Sequence, residues 1–235
     1  MDQEELIKQI EKEKRKKAEL DNGVRKKFDE ERARLILAQI FPEELTDTVL
    51  SDRPDIQTKD GRIGIEVTDA TLRPVRQNLA MVSRITGKTR DQLNRHETAY
   101  LGQDHVNDSD WQGMTLPGFA LWGPTVDYAA AYQKKVESMQ KEGYGSFEKN
   151  GLFIYSMIGA ENSEVQAFIQ QVQSDEANPY DLILLCFEHS LRTIQYKPAE
   201  VRDYPLTAEL WHSVNHAAFL TAVGIEYEEF YPKEN

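Results

Sequence analysis

The chain is poor in the residues that staple secreted scaffolds or build soft-metal cages. Cys186 is its only cysteine, which excludes an internal disulfide and any zinc cage made of thiolates. It lies within an apolar run, where a buried bystander is the expected role rather than a nucleophile. No apolar stretch approaches the ~20 residues that span a bilayer, so no membrane segment is expected. The opening Met1-Asp2-Gln3-Glu4-Glu5 has neither the basic nor the apolar part of a secretory leader, and the setting expected is cytoplasmic. Positive charge is also short. Lys and Arg number 28 against 40 Asp and Glu, for a formal charge of −12, which excludes a generally basic nucleic-acid coat. Local patches and divalent ions could still offset phosphate repulsion. A phosphate-binding loop is missing too: Gly87-Lys88-Thr89 looks like the end of one, but Val82 stands where its first glycine belongs.

What is present suits a globular protein. The 235 residues are 40% hydrophobic, 9% aromatic and 29% charged, enough for one domain or one domain with an insertion. Residues 1–23 read as a polar N-terminal helix ending in the break Asp21-Asn22-Gly23. Two basic clusters, Lys14-Arg15-Lys16-Lys17 and Arg25-Lys26-Lys27, are interleaved with glutamates at helical spacing and read as salt-bridged, solvated faces. Residues 24–235 read as an α/β domain. A helix is predicted over 24–41, where Phe28, Leu35, Ile36, Leu37, Ile40 and Phe41 form its apolar surface and Pro42 stops it. Lys59-Asp60-Gly61 predicts a hairpin turn between Asp55-Ile56-Gln57 and the strand 62–68. Further helices are expected over 74–85, 126–141, 163–174 and 206–222. Strands are expected over 152–156, 182–187, 191–196 and, weakly, 224–231. Residues 86–125 are the least regular part and are taken as an insertion or long loop. The order predicts a mixed sheet with helices on both faces.

The chemistry-bearing constellation is Asp55 with Glu66, eleven positions apart on the two arms of that hairpin. Ile63, Ile65 and Val67 alternate against Gly64, Glu66 and Thr68, so Glu66 projects from the face opposite the apolar one. Gly64 beside it is expected to leave room for a ligand. Two carboxylates from adjacent strands make an oxygen-rich pocket suited to Mg²⁺, and such an ion polarises phosphoryl oxygens and acidifies water. Ordinary surface acids on an amphipathic hairpin fit the alternation equally well.

Arg53-Pro54-Asp55-Ile56 followed by Gly64-Ile65-Glu66-Val67-Thr68 resembles the motif of the PD-(D/E)xK nuclease superfamily, most convincingly over residues 24–72 and more weakly as far as Tyr196. The resemblance implies a restriction endonuclease-like fold: a mixed β-sheet flanked by helices, here with the polar N-terminal helix and the irregular insertion. It implies a Mg²⁺-dependent phosphodiesterase, with Mn²⁺ as an alternative ion and Asp55 and Glu66 as metal ligands. It also implies a glutamate from the first core helix, for which Glu31 is preferred over Glu30. In the superfamily a lysine stands two residues after the glutamate, and this chain has Thr68 there. The form with threonine looks like a bacterial and phage-associated subset in which a following helix supplies the cation. Lys135 is the first candidate and Lys134 the second; as a pair they also fit ordinary solvated helix residues. The substrate implied is nucleic acid, DNA favoured over RNA, with a homodimer or a protein partner compatible with the acidity.

The alternative function keeps the fold and drops the catalysis, leaving a binding or assembly module. Other signals are weaker. His212 and His216 are four apart on a predicted helix but lack the glutamate of a zinc hydrolase motif. Asp104, His105, Asp108 and Asp110 fit no calcium-loop spacing. Trp111, Phe119 and Trp122 could stack on bases or anchor the irregular segment onto a core.

Overall fold

A computed structural model of the chain describes residues 22–120, 124–140, 144–156, 162–196 and 199–224. The helix expected over 1–23 and the strand expected over 224–231 lie almost wholly outside these residues. The described chain divides into two compact units, one of residues 72–125 and one of residues 22–71 with 126 onward. Among the described residues no helix is long and apolar enough to cross a membrane.

The larger unit is built on a seven-stranded mixed sheet. Helix α1 (Asn22–Ile40) leads through the short α2 (Pro42–Leu45) to β1 (Thr48–Leu50), β2 (Ile56–Thr58) and β3 (Ile63–Asp69). Asn22 and Gly23, expected to break the chain, already lie in α1. The hairpin turn forms where the sequence places it. Gly61 takes φ +74°, and the Asp60 carboxylate accepts from the Thr58 hydroxyl and from the Arg62 N–H. After the smaller unit, the chain resumes with α5 (Tyr128–Met139), β6 (Lys149–Tyr155), α6 (Asn162–Ser174), β7 (Leu182–Phe187), β8 (Ser190–Gln195), β9 (Glu200–Pro205) and α7 (Ala208–Ala222). The sheet order is β1-β2-β3-β6-β7-β8-β9. The central β3, β6 and β7 run parallel and the flanking pairs antiparallel. Strand β9 was not anticipated, because its polar sequence Glu200-Val201-Arg202-Asp203-Tyr204 belongs to a half-exposed edge rather than a core.

Period-two alternation sends the central strands' side chains to two cores. On one face Ile65, Val67, Phe153, Tyr155, Leu184 and Cys186 pack with Ala33, Ile36 and Leu37 of α1 and Val214 of α7. On the other, Leu152, Ile154, Ile183 and Leu185 pack with Ala131 and Tyr132 of α5 and Val165, Phe168 and Ile169 of α6. Buried central strands read as continuous apolar runs for this reason. Burial also pushes the Cys186 thiol up to about 12, in keeping with the bystander role.

The helix expected over 74–85 is present, and the described residues of 86–125, expected to be irregular, join it in an ordered unit. Residues 72–125 form α3 (Arg73–Ile85), a single 3₁₀ turn, α4 (Arg95–Leu101) and a hairpin of β4 (Val106–Trp111) and β5 (Met114–Phe119). Ile85, Tyr100 and Leu101 make their own apolar cluster with Met81, Val82 and Leu93. Glycine, asparagine and aspartate misled because here they serve as caps and turns. Asn94 caps α4, and Gly113 closes the β4–β5 turn at φ +79°. In the larger unit, the two ends of this excursion meet. Thr71 bridges Val126, and the Asp127 N–H donates to the Ala70 carbonyl.

Gly64 does not open space for a ligand. A Cβ placed there would lie 2.7 Å from the Phe147 ring and 2.8 Å from Pro54, so the glycine lets the segment before β6 and the turn before β2 close over β3. Gly64→Ala is therefore expected to destabilise the protein by about 1–3 kcal/mol through overpacking. Urea denaturation checks this, and the Gly64→Ala, Phe147→Ala double variant should lose less than the sum of the single losses.

Candidate active site

Strand β2 is short. Its pairing with β3 ends at Ile56 opposite Ile65, so the rest of β3 has no neighbouring backbone on that side. The Asp55 side chain takes over: its Oδ2 accepts the Val67 N–H at 2.8 Å. This brings the Asp55 carboxylate beside Glu66 in a nearly dry place, the two residues being 2% and 3% exposed. Both acids then meet a single cation. The Lys135 ammonium donates to Asp55 Oδ2 at 2.8 Å and to Glu66 Oε2.

Lys135 comes from α5, which packs on the Glu66 face of the sheet. It occupies the site expected of a helix-borne cation, while Lys134 is exposed. Thr68 lies further along β3, opposite Ile154. Burial works against the Lys135 charge, yet the two carboxylates outweigh it and raise its pKa, so the ammonium keeps its proton. Burial would also raise Asp55, but Lys135 and the Val67 N–H hold it below the usual carboxylate range. Burial is the largest influence on Glu66 and raises it; Lys135 pulls it down by more than the neighbouring Asp55 pushes it up, without cancelling the burial.

The α1 acid that lies beside Asp55 is Glu30, and the preferred candidate Glu31 is not brought there. Glu31 is tied to Arg34, which donates to it through Nε at 2.7 Å and Nη2 at 2.6 Å. Leu35, taken as the guide to the core stripe, is only partly buried, whereas Ala33 and Leu37 are, with Phe28 and Ile36, fully buried. Glu30 lies three and seven residues before Ala33 and Leu37 and so shares their face. Lys26, one turn earlier, binds Glu30 Oε1 at 3.1 Å and approaches Asp55 Oδ1 at 3.6 Å. Its spacing to Glu30 was visible in the sequence, but its reach to Asp55 depends on the turn before β2. Burial and then the adjacent Asp55 push Glu30 up to about 7, against the pull of Lys26.

Among the described residues no three His, Cys, Asp or Glu side chains converge as a ready metal cage. Two carboxylates do converge on one point, with a third beside Asp55. That set of hard oxygens fits Mg²⁺, which characteristically takes one or two protein carboxylates and keeps water or substrate oxygens for the rest.

The weaker signals have local explanations. Lys88 pairs at 2.7 Å with the buried Glu97. Asp108 pairs with Arg90 at 2.7 Å, and Asp110 accepts from the Gly113 N–H within its hairpin. Phe119 is half-buried on β5, while the Trp111 side chain and Trp122 lie outside what is described. Comparison of the chain with protein-family models, with curated proteins and with solved structures finds no match in any of the three.

Two stability tests follow from the charges. Lys135→Met leaves two buried carboxylates without their cation, at a cost of about 3–5 kcal/mol near neutral pH. Their folded-state pKa values then lie above the unfolded ones, so the loss should grow as pH rises from about 4 towards 8; chemical denaturation at several pH values checks this. Glu30 is likewise raised, so the stability held by its protonated form is complete below its unfolded value and lost as pH climbs through about 7. Glu30→Gln should therefore gain on the order of 1–3 kcal/mol over the natural chain at pH 8, and the gain should vanish by pH 4.

Proposed function

We propose that this chain is a metal-dependent nuclease of restriction endonuclease-like fold, a divergent member of the PD-(D/E)xK superfamily that hydrolyses phosphodiester bonds in nucleic acid, DNA before RNA. The observation that carries the reading is the meeting of Asp55, Glu66 and Lys135 at one point, two acids from adjacent strands and a cation from a helix. Asp55 and Glu66 would hold Mg²⁺ or Mn²⁺, and Glu30 would support it through Asp55. When bound, the ion supplies Lewis acidity for a phosphoryl oxygen and a lower pKa for water.

The protein's own groups supply positioning and charge. The Val67 N–H fixes Asp55, so the metal-facing oxygens are held by the sheet backbone and need not be ordered on binding. Lys135, kept charged by its neighbours, is a hydrogen-bond donor and positive charge for a phosphate or its attacking water rather than a proton acceptor. That is the task left open by Thr68. With an overall charge of −12, long-range attraction of phosphate is not available from the chain as a whole, which places more weight on cations at the site.

A second reading has one observation in its favour. Lys135 already pairs with both acids, which is also what a catalytically silent binding or assembly module would keep. Calorimetric titration with Mg²⁺ and Mn²⁺ separates the two: a silent site gives no carboxylate-dependent binding.

The direct test is a cleavage panel of DNA and RNA with each ion. Asp55→Asn and Glu66→Gln are expected to lower cleavage by roughly a hundred- to a thousand-fold or more, with circular dichroism unchanged. Equal activity in both variants and the natural chain would reject the nuclease reading.

A further inference from the structure

Beside Glu66 stand two buried phenols, Tyr144 and Tyr180, whose hydroxyls complete no well-formed hydrogen bond, although that of Tyr144 lies within reach of the Glu66 carboxylate. A buried donor left unpaired costs about 1–3 kcal/mol, and native proteins keep few of them. Glu66 and Asp55 are the charged groups that act on both, and each phenol also lies near the other.

Both residues are held firmly. Tyr180 is 1% exposed, its N–H donates to Asn178 Oδ1 at 3.0 Å, and its ring meets Tyr132 edge-on at 6.0 Å. Tyr132 is one turn before Lys135 on α5 and donates to Asp175 at 2.8 Å. Tyr144 is half-buried on the segment that Phe147 fastens over Gly64 and Pro54. Gly145 in that segment has room for no side chain, since a Cβ would meet the Phe147 ring at 2.6 Å. A rigid, neutral donor placed next to acids that already have Lys135 is suited to an oxygen that arrives with the substrate.

We propose that Tyr144 is a substrate-contacting residue of this site, its hydroxyl donating to a phosphoryl oxygen held over Asp55 and Glu66, and that Tyr180 is the positioning residue behind it. The proposal rests on the nuclease reading for its substrate class, and its test is separable from that reading. The probe is inorganic phosphate, titrated calorimetrically into the full chain with Mg²⁺ present, alongside Mg²⁺ titrated alone. Tyr144→Phe should weaken phosphate binding roughly ten- to a hundred-fold, the worth of one hydrogen bond to a charged group, while Mg²⁺ affinity and the thermal midpoint hold. Tyr180→Phe should weaken phosphate by a smaller factor. Tyr144→Met replaces the phenylalanine variant if that one fails to fold.

Unchanged phosphate affinity in Tyr144→Phe overturns the proposal. So does an equal loss of Mg²⁺ and phosphate affinity, which would make Tyr144 a support for Glu66, and so does a natural chain that binds no phosphate. Nucleic-acid cleavage measured on the same samples separates the two ideas. Cleavage with no Tyr144-dependent phosphate binding keeps the nuclease and rejects the phenol, whereas Tyr144-dependent phosphate binding without cleavage does the reverse.

Discussion

The ammonium of Lys135 between Asp55 and Glu66 is the interaction on which the rest of the site depends. Two carboxylates this dry do not stay ionised side by side without a compensating charge. Here that charge arrives on a helix that is distant in sequence and packs on the opposite side of β3 from α1. The contact joins three elements, the turn before β2, the middle of β3 and the second turn of α5, so site geometry and sheet–helix packing stand or fall together. Glu30 is raised by its burial and by Asp55, and the exposed Lys26, its ion-pair partner among the described residues, does not offset them.

The same arrangement explains how a strand can end where chemistry begins. Strand β2 stops after a few residues, and a side chain completes the hydrogen bonding of β3 in its place. An aspartate can do this because its carboxylate accepts a backbone N–H and still presents lone pairs elsewhere. A longer β2 would have satisfied Val67 by ordinary pairing and left no place for the Asp55 carboxylate. The closed packing of Phe147 and Pro54 on Gly64 covers the neighbouring stretch of β3.

Much of this was legible in the sequence, for identifiable reasons. Asp60-Gly61 fixed the hairpin, and strict alternation around Glu66 fixed its face. The absence of a strand lysine turned attention to the helix that carries Lys135. Three things were hidden. The choice between Glu30 and Glu31 turned on the orientation of α1, and one residue is a rotation of about 100°, so misjudging which apolar position is deepest misassigns the acid. The order within 86–125 was hidden because residues that cap helices and close hairpins look like loop formers when their tertiary partners are unknown. Tyr144 and Tyr180 carry no motif at all; only the fold brings them beside Glu66. The assignment to a nuclease superfamily remains a proposal that rests on the short motif and on the convergence of its residues.

The stapled base of the 72–125 excursion has its own consequence. With Thr71 against Val126 and Ala70 against Asp127, the chain departs from and returns to the central sheet at a single point. The sheet closes that junction with its own hydrogen bonds, whatever hangs from it, and longer loops raise closure entropy only slowly. The excursion is thus an interchangeable attachment. It could be lengthened, trimmed or replaced while the acids and lysine of the larger unit keep their places.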